Sequence, residues 1–162
     1  MRSTVIDREL WLKDSECFGA LAEVARSNLE AVSSYYPDFG RWYAGKVTPG
    51  LYSGERKVLF REISGTLAAI AIVKDASEEK KLCCLRVMPA FQGSGLGIKM
   101  FEEAFELLET NRPLLTVAEE QLPQFERVFD YFNFERGEKY LDFYRKNKAE
   151  YSFNGVLFVP AT

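Results

Sequence analysis

Glycines at alternating positions mark the part of this sequence with the clearest chemical potential. Gly93, Gly95 and Gly97 fall within the run Gln92–Gly97. Because glycine has no side chain, the backbone can turn tightly here and approach a ligand closely. A helical pattern begins at Leu96, and the first N–H groups of a helix lack intrahelical partners and carry partial positive charge. The run therefore predicts a site for a phosphate or pyrophosphate.

Two other phosphate-binding motifs do not fit this run. A P-loop ends in Gly-Lys-Ser/Thr, whereas Lys99 follows Ile98 and precedes Met100. A dinucleotide-binding fingerprint needs a third glycine where Ile98 stands, and an acidic strand end about twenty residues later, which is missing.

The remaining reactive residue types narrow the chemistry. Histidine is absent, which excludes Ser-His-Asp and Cys-His catalysis and every histidine-ligated metal site. The three cysteines, Cys17, Cys83 and Cys84, are odd in number and form no Cys-x-x-Cys spacing, so we predict neither a disulfide framework nor a metal site. Since no base accompanies Cys83 and Cys84, we interpret them as buried strand residues rather than nucleophiles.

The composition is that of an ordinary globular protein. The chain has 162 residues, 47% of them hydrophobic, which predicts one domain over residues 1–162. A net charge of −3 gives no basic excess for nucleic acid. The longest apolar run, Leu67–Val73, is far shorter than a membrane span, and the N-terminal residues form no apolar signal segment. We therefore expect a cytoplasmic protein without a nucleic-acid or membrane partner.

Hydrophobic periodicity predicts an α/β order of elements. In chain order we expect a helix over 15–35, an aromatic cluster over 35–43 with a short second helix as the alternative, and strands over 57–63, 66–73 and 82–88. A helix from residue 96, a strand over 114–117, a helix over 122–132, and strands over 140–144 and 151–153 follow. Ser64-Gly65 suits a tight hairpin turn. The strand–helix–strand step from Leu82 to Val117 implies a parallel pair. The predicted fold is a mixed central sheet, an antiparallel meander plus one parallel step, flanked by about four helices.

The glycine-rich run resembles the signature of the GNAT superfamily of acetyl-CoA-dependent N-acetyltransferases. The pattern Arg/Gln-x-x-Gly-x-Gly/Ala is matched by Gln92, Gly95 and Gly97. The preceding residues Leu85–Phe91 are similar to the family's strand end, and Val128–Phe134 occupies the family's aromatic-Tyr, three residues, Gly-Phe segment. The resemblance covers roughly residues 55–145 and implies a GNAT fold.

The resemblance also implies acetyl-CoA as co-substrate, without a metal. The pantetheine arm would bond the backbone of Leu85–Val87 like an added strand, and the N–H groups of Gly93–Ile98 would hold the pyrophosphate. Phenylalanines of the helix over 122–132 would line the cofactor wall, with plain core packing as the alternative. The predicted cofactor-binding residues are Leu85, Arg86, Val87, Gln92, Gly93, Ser94, Gly95, Leu96, Gly97, Ile98, Phe129 and Phe132.

The sequence departs from the family at its catalytic groups. The family's general acid, a tyrosine, falls on Phe129, which has no proton to give, and the glycine before the last phenylalanine is Asn133. Glu120 and Glu119, just after the strand over 114–117, are the predicted general-base candidates. A role as surface charges at a helix start is the alternative for both. The resemblance leaves Glu78 and Glu79 open as alternatives, since many relatives have their base near the start of the fourth strand.

The predicted function is direct transfer of an acetyl group from acetyl-CoA to a primary amine in a ternary complex. One alternative is a CoA-binding sensor or interaction module that has lost catalysis, which Phe129 motivates. Another is an enzyme that uses a longer acyl-CoA. The acceptor, a small-molecule or peptide amine, is not specified by the sequence, and assembly as a homodimer is left open.

Overall fold

The computed structural model describes residues 2–157, which form two antiparallel sheets. The first sheet has the strand order β1-β2-β3-β4 and the second the order β5-β7-β6. The strands are β1 (Arg2–Ile6), β2 (Arg56–Ile63), β3 (Thr66–Asp75), β4 (Lys80–Val87), β5 (Leu115–Ala118), β6 (Arg136–Leu141) and β7 (Ala149–Phe153).

Within residues 2–157 the structure has six α-helices, more than the sequence predicts, and several single turns. The α-helices are α1 (Arg8–Lys13), α2 (Ser15–Leu29), α3 (Phe39–Trp42), α4 (Thr48–Ser53), α5 (Leu96–Leu108) and α6 (Leu122–Tyr131). Short 3₁₀ segments cover Glu30–Ser34 and Pro89–Phe91, and a π-helical turn covers Tyr43–Val47.

The β2–β3 hairpin confirms the turn predicted at Ser64-Gly65. Ser64 has a φ of 52° and Gly65 a φ of 76°, the pair of positive values that a two-residue type I′ turn requires. The turn pairs Ile63 with Thr66 and brings β3 between β2 and β4.

The first sheet separates two hydrophobic cores. On β3, Ala69, Ala71 and Val73 face the cluster that contains residues of α5 and α6. Ile70 and Ile72 face the opposite cluster, which contains residues of α2, α3 and α4. This alternation is the two-residue period of a strand, and it explains why β3 is an unbroken apolar run.

The predicted parallel step between β4 and β5 is reduced to a single bridge. Lys81 and Leu114 form an isolated parallel bridge, in which Leu82 donates to the Leu114 carbonyl at 2.9 Å and Leu114 to the Lys80 carbonyl at 2.9 Å. Beyond this point β4 pairs with β3, and β5 pairs with β7. The prediction of one mixed central sheet is therefore corrected to two antiparallel sheets that meet at this bridge.

The N-terminal elements account for most of the other differences. The sequence predicts neither β1 nor α1 nor α4. For the segment that contains α3, the short second helix left open by the sequence is present, although aromatic packing was the favoured interpretation. The predicted helix over 15–35 is α-helical only to Leu29 and then tightens to 3₁₀. Each of the first two helices begins at an aspartate cap, where Asp7 accepts from the Leu10 N–H and Asp14 from the Cys17 N–H, both at 3.0 Å.

The strand predicted over 140–144 is also displaced. β6 covers Arg136–Leu141, and Asp142, with a φ of 57°, begins the connection to β7. Asn133, at the family's glycine position, adopts the left-handed backbone conformation with a φ of 54°, which asparagine tolerates better than most residues.

Within residues 2–157, no helix is long and apolar enough to cross a membrane, and no group of three or more histidine, cysteine or acidic side chains is placed to bind a metal ion. All three cysteines are free, in agreement with the prediction of no disulfide.

Candidate active site

The glycine-rich run forms an open turn at the start of α5. Gly93 and Gly95 have φ values of 78° and 79°, in the left-handed region that glycine adopts without strain. Gly95 is the N-cap of α5, and no side chain accepts a capping hydrogen bond there. The first-turn N–H groups at Leu96 and Gly97 are thus left for a ligand. The arrangement combines unpaired donors with the positive end of a 13-residue helix.

Two side-chain hydrogen bonds hold this turn against the end of β4. The Gln92 amide nitrogen donates to the Val87 carbonyl at 3.2 Å, and the Ser94 hydroxyl donates to the Phe91 carbonyl at 2.5 Å. Both side chains therefore shape the loop, while its backbone stays open.

The C-terminal half of β4 presents an edge toward β5. Leu85 pairs with Ala71 and Val87 with Ala69 on the β3 side. Their side chains pack on the α5 cluster, and the Arg86 guanidinium donates to the Asn28 carbonyl of α2. On the other side, the last bond from β4 to the β5 region within residues 2–157 is the one that Leu82 donates.

A β-bulge lies where β4 leaves β5. Ile72 pairs with Cys84 and Val73 with Leu82, so Cys83 is the extra residue. Both cysteines pack on the α2 cluster. Burial raises the pKa of Cys83, and it raises that of Cys84 to about 12. The thiols stay protonated at neutral pH, which agrees with their interpretation as packing residues.

A cavity of about 290 Å³ opens beside this bulge, on the α2 side of the sheet. Its walls come from β4, from β5 and from connecting segments that carry many aromatic side chains. The lining residues are Val32, Tyr36, Pro37, Asp38, Phe39, Trp42, Arg56, Lys74, Glu79, Lys81, Cys83, Cys84, Thr116, Phe143 and Tyr144.

A buried carboxylate stands behind one wall of the cavity. Glu150 of β7 is only 3% exposed, and the Tyr36 hydroxyl donates to its Oε1 at 2.7 Å. Burial raises the pKa of Glu150, against the opposing effect of hydrogen bonds from Tyr36 and Thr116. A carboxylate with a raised pKa is a better proton acceptor near neutral pH than an ordinary glutamate.

Tyr144 supplies a second hydroxyl group at this cavity. Its ring meets the Tyr36 ring edge-on, with centroids 5.1 Å apart. Burial, with a smaller effect of Glu150, raises the pKa of Tyr144 to about 12. The Thr116 side chain lowers the pKa of both Tyr144 and Glu150, so it lies close to each of them. The phenol keeps its proton at neutral pH, and the same threonine hydroxyl is near the phenol and the buried carboxylate.

Solved structures that are similar to this fold include several acetyltransferases. A protein from Desulfovibrio desulfuricans assigned to the GNAT family aligns with 82% of this chain and 89% of its own, with a TM-score of 0.60 and 17% identity. The Bacillus subtilis acetyltransferase in complex with CoA aligns over 68% of this chain and 82% of its own, with a TM-score of 0.55 and 11% identity. The chain has the GNAT acetyltransferase fold.

Other comparisons show that the similarity is limited to the fold. Nourseothricin acetyltransferase has a TM-score of 0.56 and 14% identity over 62% of this chain, and the match spans just under two thirds, 65%, of its length. No family model and no curated protein matches the sequence. The likeness is one of fold, at identities far below those that carry a shared substrate.

Within the GNAT fold, the two carboxylates that the sequence analysis singled out form structural contacts. Glu119 Oε1 accepts the Ala149 N–H at 2.7 Å. Glu120 accepts two bonds from Arg145, at 3.0 and 2.6 Å, and pairs with Lys148 at 3.1 Å. The Arg145 bond is the main reason that the pKa of Glu120 falls to about 2. A carboxylate held so firmly in its charged form is a weak base.

Phe129 of α6 and Phe132, directly after α6, pack against aromatic rings of other segments. Phe129 is 3% exposed, and its ring centroid lies 4.3 Å from that of Phe153 and 5.6 Å from that of Phe134. Phe132 meets Phe105 edge-on at 4.9 Å. Their surroundings are those of core residues, the alternative that the sequence left open.

Sequence reasoning missed Glu150 and Tyr36. The local signal for Glu150 is an acid inside the strand Ala149–Phe153, whose neighbours Ala149, Ser152 and Phe153 are buried. Tyr36 carried no comparable signal, because its role depends on a contact with a residue 114 positions away.

Proposed function

We propose that this protein is an acetyl-CoA-dependent N-acetyltransferase that moves an acetyl group to a primary amine by direct transfer in a ternary complex. One observation carries the proposal. The uncapped start of α5 lies at the end of β4, and the free edge of β4 leads from there to a cavity with a buried carboxylate behind it. An anionic cofactor and an amine acceptor would thus meet at the bulge of β4.

The cofactor would follow the free strand edge. The N–H groups of Gly93–Ile98 are available to the pyrophosphate, and the backbone of Leu85–Val87 is available to the pantetheine amides. This path brings the thioester to Cys83 and Cys84, where the cavity begins. Structural neighbours from Bacillus subtilis and Elizabethkingia anophelis hold CoA and acetyl-CoA respectively, which supports the same use here.

Tyr36 and Glu150 would remove the proton from the amine. As the amine nitrogen attacks the thioester carbonyl, the Tyr36 oxygen takes the proton while its own proton passes to Glu150, 2.7 Å away. Tyr36 is needed as a relay because Glu150, the base, is too buried to contact the amine directly. Binding the amine and the thioester side by side supplies the rest of the rate advantage by positioning.

Tyr144 would donate a proton to the departing sulfur. The C–S bond breaks as the new amide forms, and the thiol leaves with the phenolic proton. Thr116 lies near both Tyr144 and Glu150, and its hydroxyl would carry the proton gained by Glu150 back to Tyr144. The site then regains its starting state without an external acid, and Phe129 is not needed as one.

A screen of primary amines with acetyl-CoA tests this proposal. We expect thiol release that depends on an amine, with an acetylated product identified by mass spectrometry. Hexanoyl-CoA in a parallel arm tests the use of longer acyl chains. Tight CoA binding without thiol release from any amine would contradict the enzyme and favour the sensor, the alternative that the lack of a hydroxyl at Phe129 supports.

A further inference from the structure

Arg56 places a buried guanidinium in the wall of the cavity. The residue is 8% exposed, its Nη1 donates to Cys83 Sγ at 3.1 Å, and its Cζ lies 5.7 Å from the centre of the Trp42 ring. The aliphatic part of the Arg56 side chain packs directly against Gly50. A Cβ atom added at Gly50 would lie only 2.6 Å from the Arg56 Cγ. The head group is therefore held in place by packing rather than by a charge.

The guanidinium has no anionic partner in the described part of the chain. None of the ion pairs formed within residues 2–157 includes Arg56. A guanidinium has several N–H donors, and a thiol is a weak acceptor for one of them. Within the described residues, every fully buried side-chain nitrogen has a hydrogen-bond partner. The Arg56 nitrogens that have no partner are therefore accessible, and Arg56 lines the cavity.

The carboxylates near the cavity pair with Lys74 rather than with Arg56. Lys74 meets Glu79 at 3.3 Å, and Glu55 and Glu78 at 3.7 and 3.8 Å, whereas Lys81 forms no ion pair within residues 2–157. Asp38 is exposed at the rim of the cavity. A buried cation without a counterion is costly, and this cost is offset when an anion binds. The planar fork of arginine matches a carboxylate, which it binds through two parallel hydrogen bonds.

We propose that the acceptor is a free amino acid, whose carboxylate binds Arg56 while its amine lies at Tyr36. This inference rests on the proposed function, because Tyr36 leads to the base Glu150. Arg56 and Tyr36 line the same cavity, so one small molecule would bind Arg56 through its carboxylate and Tyr36 through its amine. The rings of Phe39 and Phe143 line the same cavity and favour an apolar side chain.

Matched acceptors and matched variants test the assignment. The common L-amino acids are compared with their α-amides, which keep the shape but lose the negative charge, using kcat/KM for acetyl transfer. We expect wild type to prefer at least one amino acid over its amide by about tenfold to a hundredfold, the range of a hydrogen bond to a charged group. Arg56→Met, which keeps the apolar stem, should bring the ratio close to one, and Arg56→Lys should give an intermediate ratio. Arg41→Gln, an exposed arginine of α3 outside the cavity, should keep the wild-type ratio.

Equilibrium binding separates this inference from the proposed function. Binding of the same amino acids and amides is followed by the fluorescence of Trp42 in the cavity wall, with Trp42→Phe as the baseline. Arg56-dependent binding of an amino acid without acetyl transfer would support carboxylate recognition and contradict the enzyme. Acetylation of amides as efficiently as of amino acids, or a preference that survives in Arg56→Met, would overturn the inference and leave the enzyme intact. Failure of every amino acid to bind would overturn it as well.

Discussion

Glu120 and Glu150 show how environment decides the use of a carboxyl group. Arg145 and Lys148 hold Glu120 in its charged form at the surface, and its pKa falls to about 2. Glu150 is buried, and burial raises its pKa despite the hydrogen bond from Tyr36. A base must be charged at working pH yet accept a proton readily, so the raised pKa suits Glu150 to the reaction.

Replacing Glu150 tests this assignment. We expect Glu150→Gln to lower kcat by about a hundredfold or more, the usual contribution of a positioned base. In wild type, activity should fall as the pH drops through the raised pKa of Glu150, since protonation removes the base, and this acid limb should vanish in the variant. The measurement is kcat as a function of pH, with an acceptor from the amine screen.

Glu120→Gln is the matched control for that experiment. It removes a carboxylate of the same type near the same loop, so its profile should follow wild type. Loss of the acid limb in Glu120→Gln, with a normal limb in Glu150→Gln, would return the base to the position first predicted from sequence.

At the residue level, the sequence predicted the features that depend on local backbone conformation. It did not predict the contacts that depend on which side chains become buried together. The loop at Gly93 and Gly95 is readable because its conformation follows from the glycines themselves. The pairing of Tyr36 with Glu150 is not readable, because it forms only when the segment after α2 meets β7.

Among the elements, β4 determines the site because its two ends have different neighbours. Near Lys81 it meets Leu114, and after the bulge at Cys83 it pairs only with β3 within the described residues. A bulge bends and twists a strand, which explains why the parallel pair implied by the strand–helix–strand order stops after one bridge. The order of elements was readable from sequence, but the divergence of the strands was not.

The loop before α5 gives a prediction at this scale. Gly95→Val should abolish CoA binding, because a branched side chain resists the left-handed backbone and enters the space above the uncapped helix start. We expect the fold to persist, with a stability cost of about 1–3 kcal/mol from backbone strain. Calorimetry with CoA and urea unfolding measure the two effects.

Gly65→Val provides the control for backbone strain. Gly65 has a φ of 76° and open space around it, as Gly95 does, but it lies in the β2–β3 turn. The two variants should lose similar stability, and only Gly95→Val should lose CoA affinity. Equal affinity in the two variants would mean that the loop has a purely structural role.

For the whole molecule, the sequence predicted the part with regular patterns, the meander and α5. It did not predict the part that forms the cavity. The meander and the α5 helix have long, regular patterns. The cavity depends on α3 and the turns around it, segments of four or five residues, which are too short for periodicity to reveal. Its remaining walls come from β4, β5 and the β6–β7 connection, which meet only in the folded chain.

This division matches the two halves of the proposed reaction. The α5 side carries the cofactor loop, and the α2 side carries the cavity, with the first sheet between them. The free edge of β4 is the route that joins the two sides. The proposed reaction therefore requires CoA to bind along this edge.

Titration of the ¹⁵N-labelled protein with CoA, followed by amide chemical shifts, tests that claim most directly. We predict that the largest changes fall on the amides of Gly93–Ile98 and of Leu85–Val87, with smaller changes at Cys83 and Cys84. Saturation at millimolar CoA without changes in these segments would contradict the account. So would changes confined to the separate hollow of about 340 Å³ that Thr110, Leu114 and Gly155 help to line.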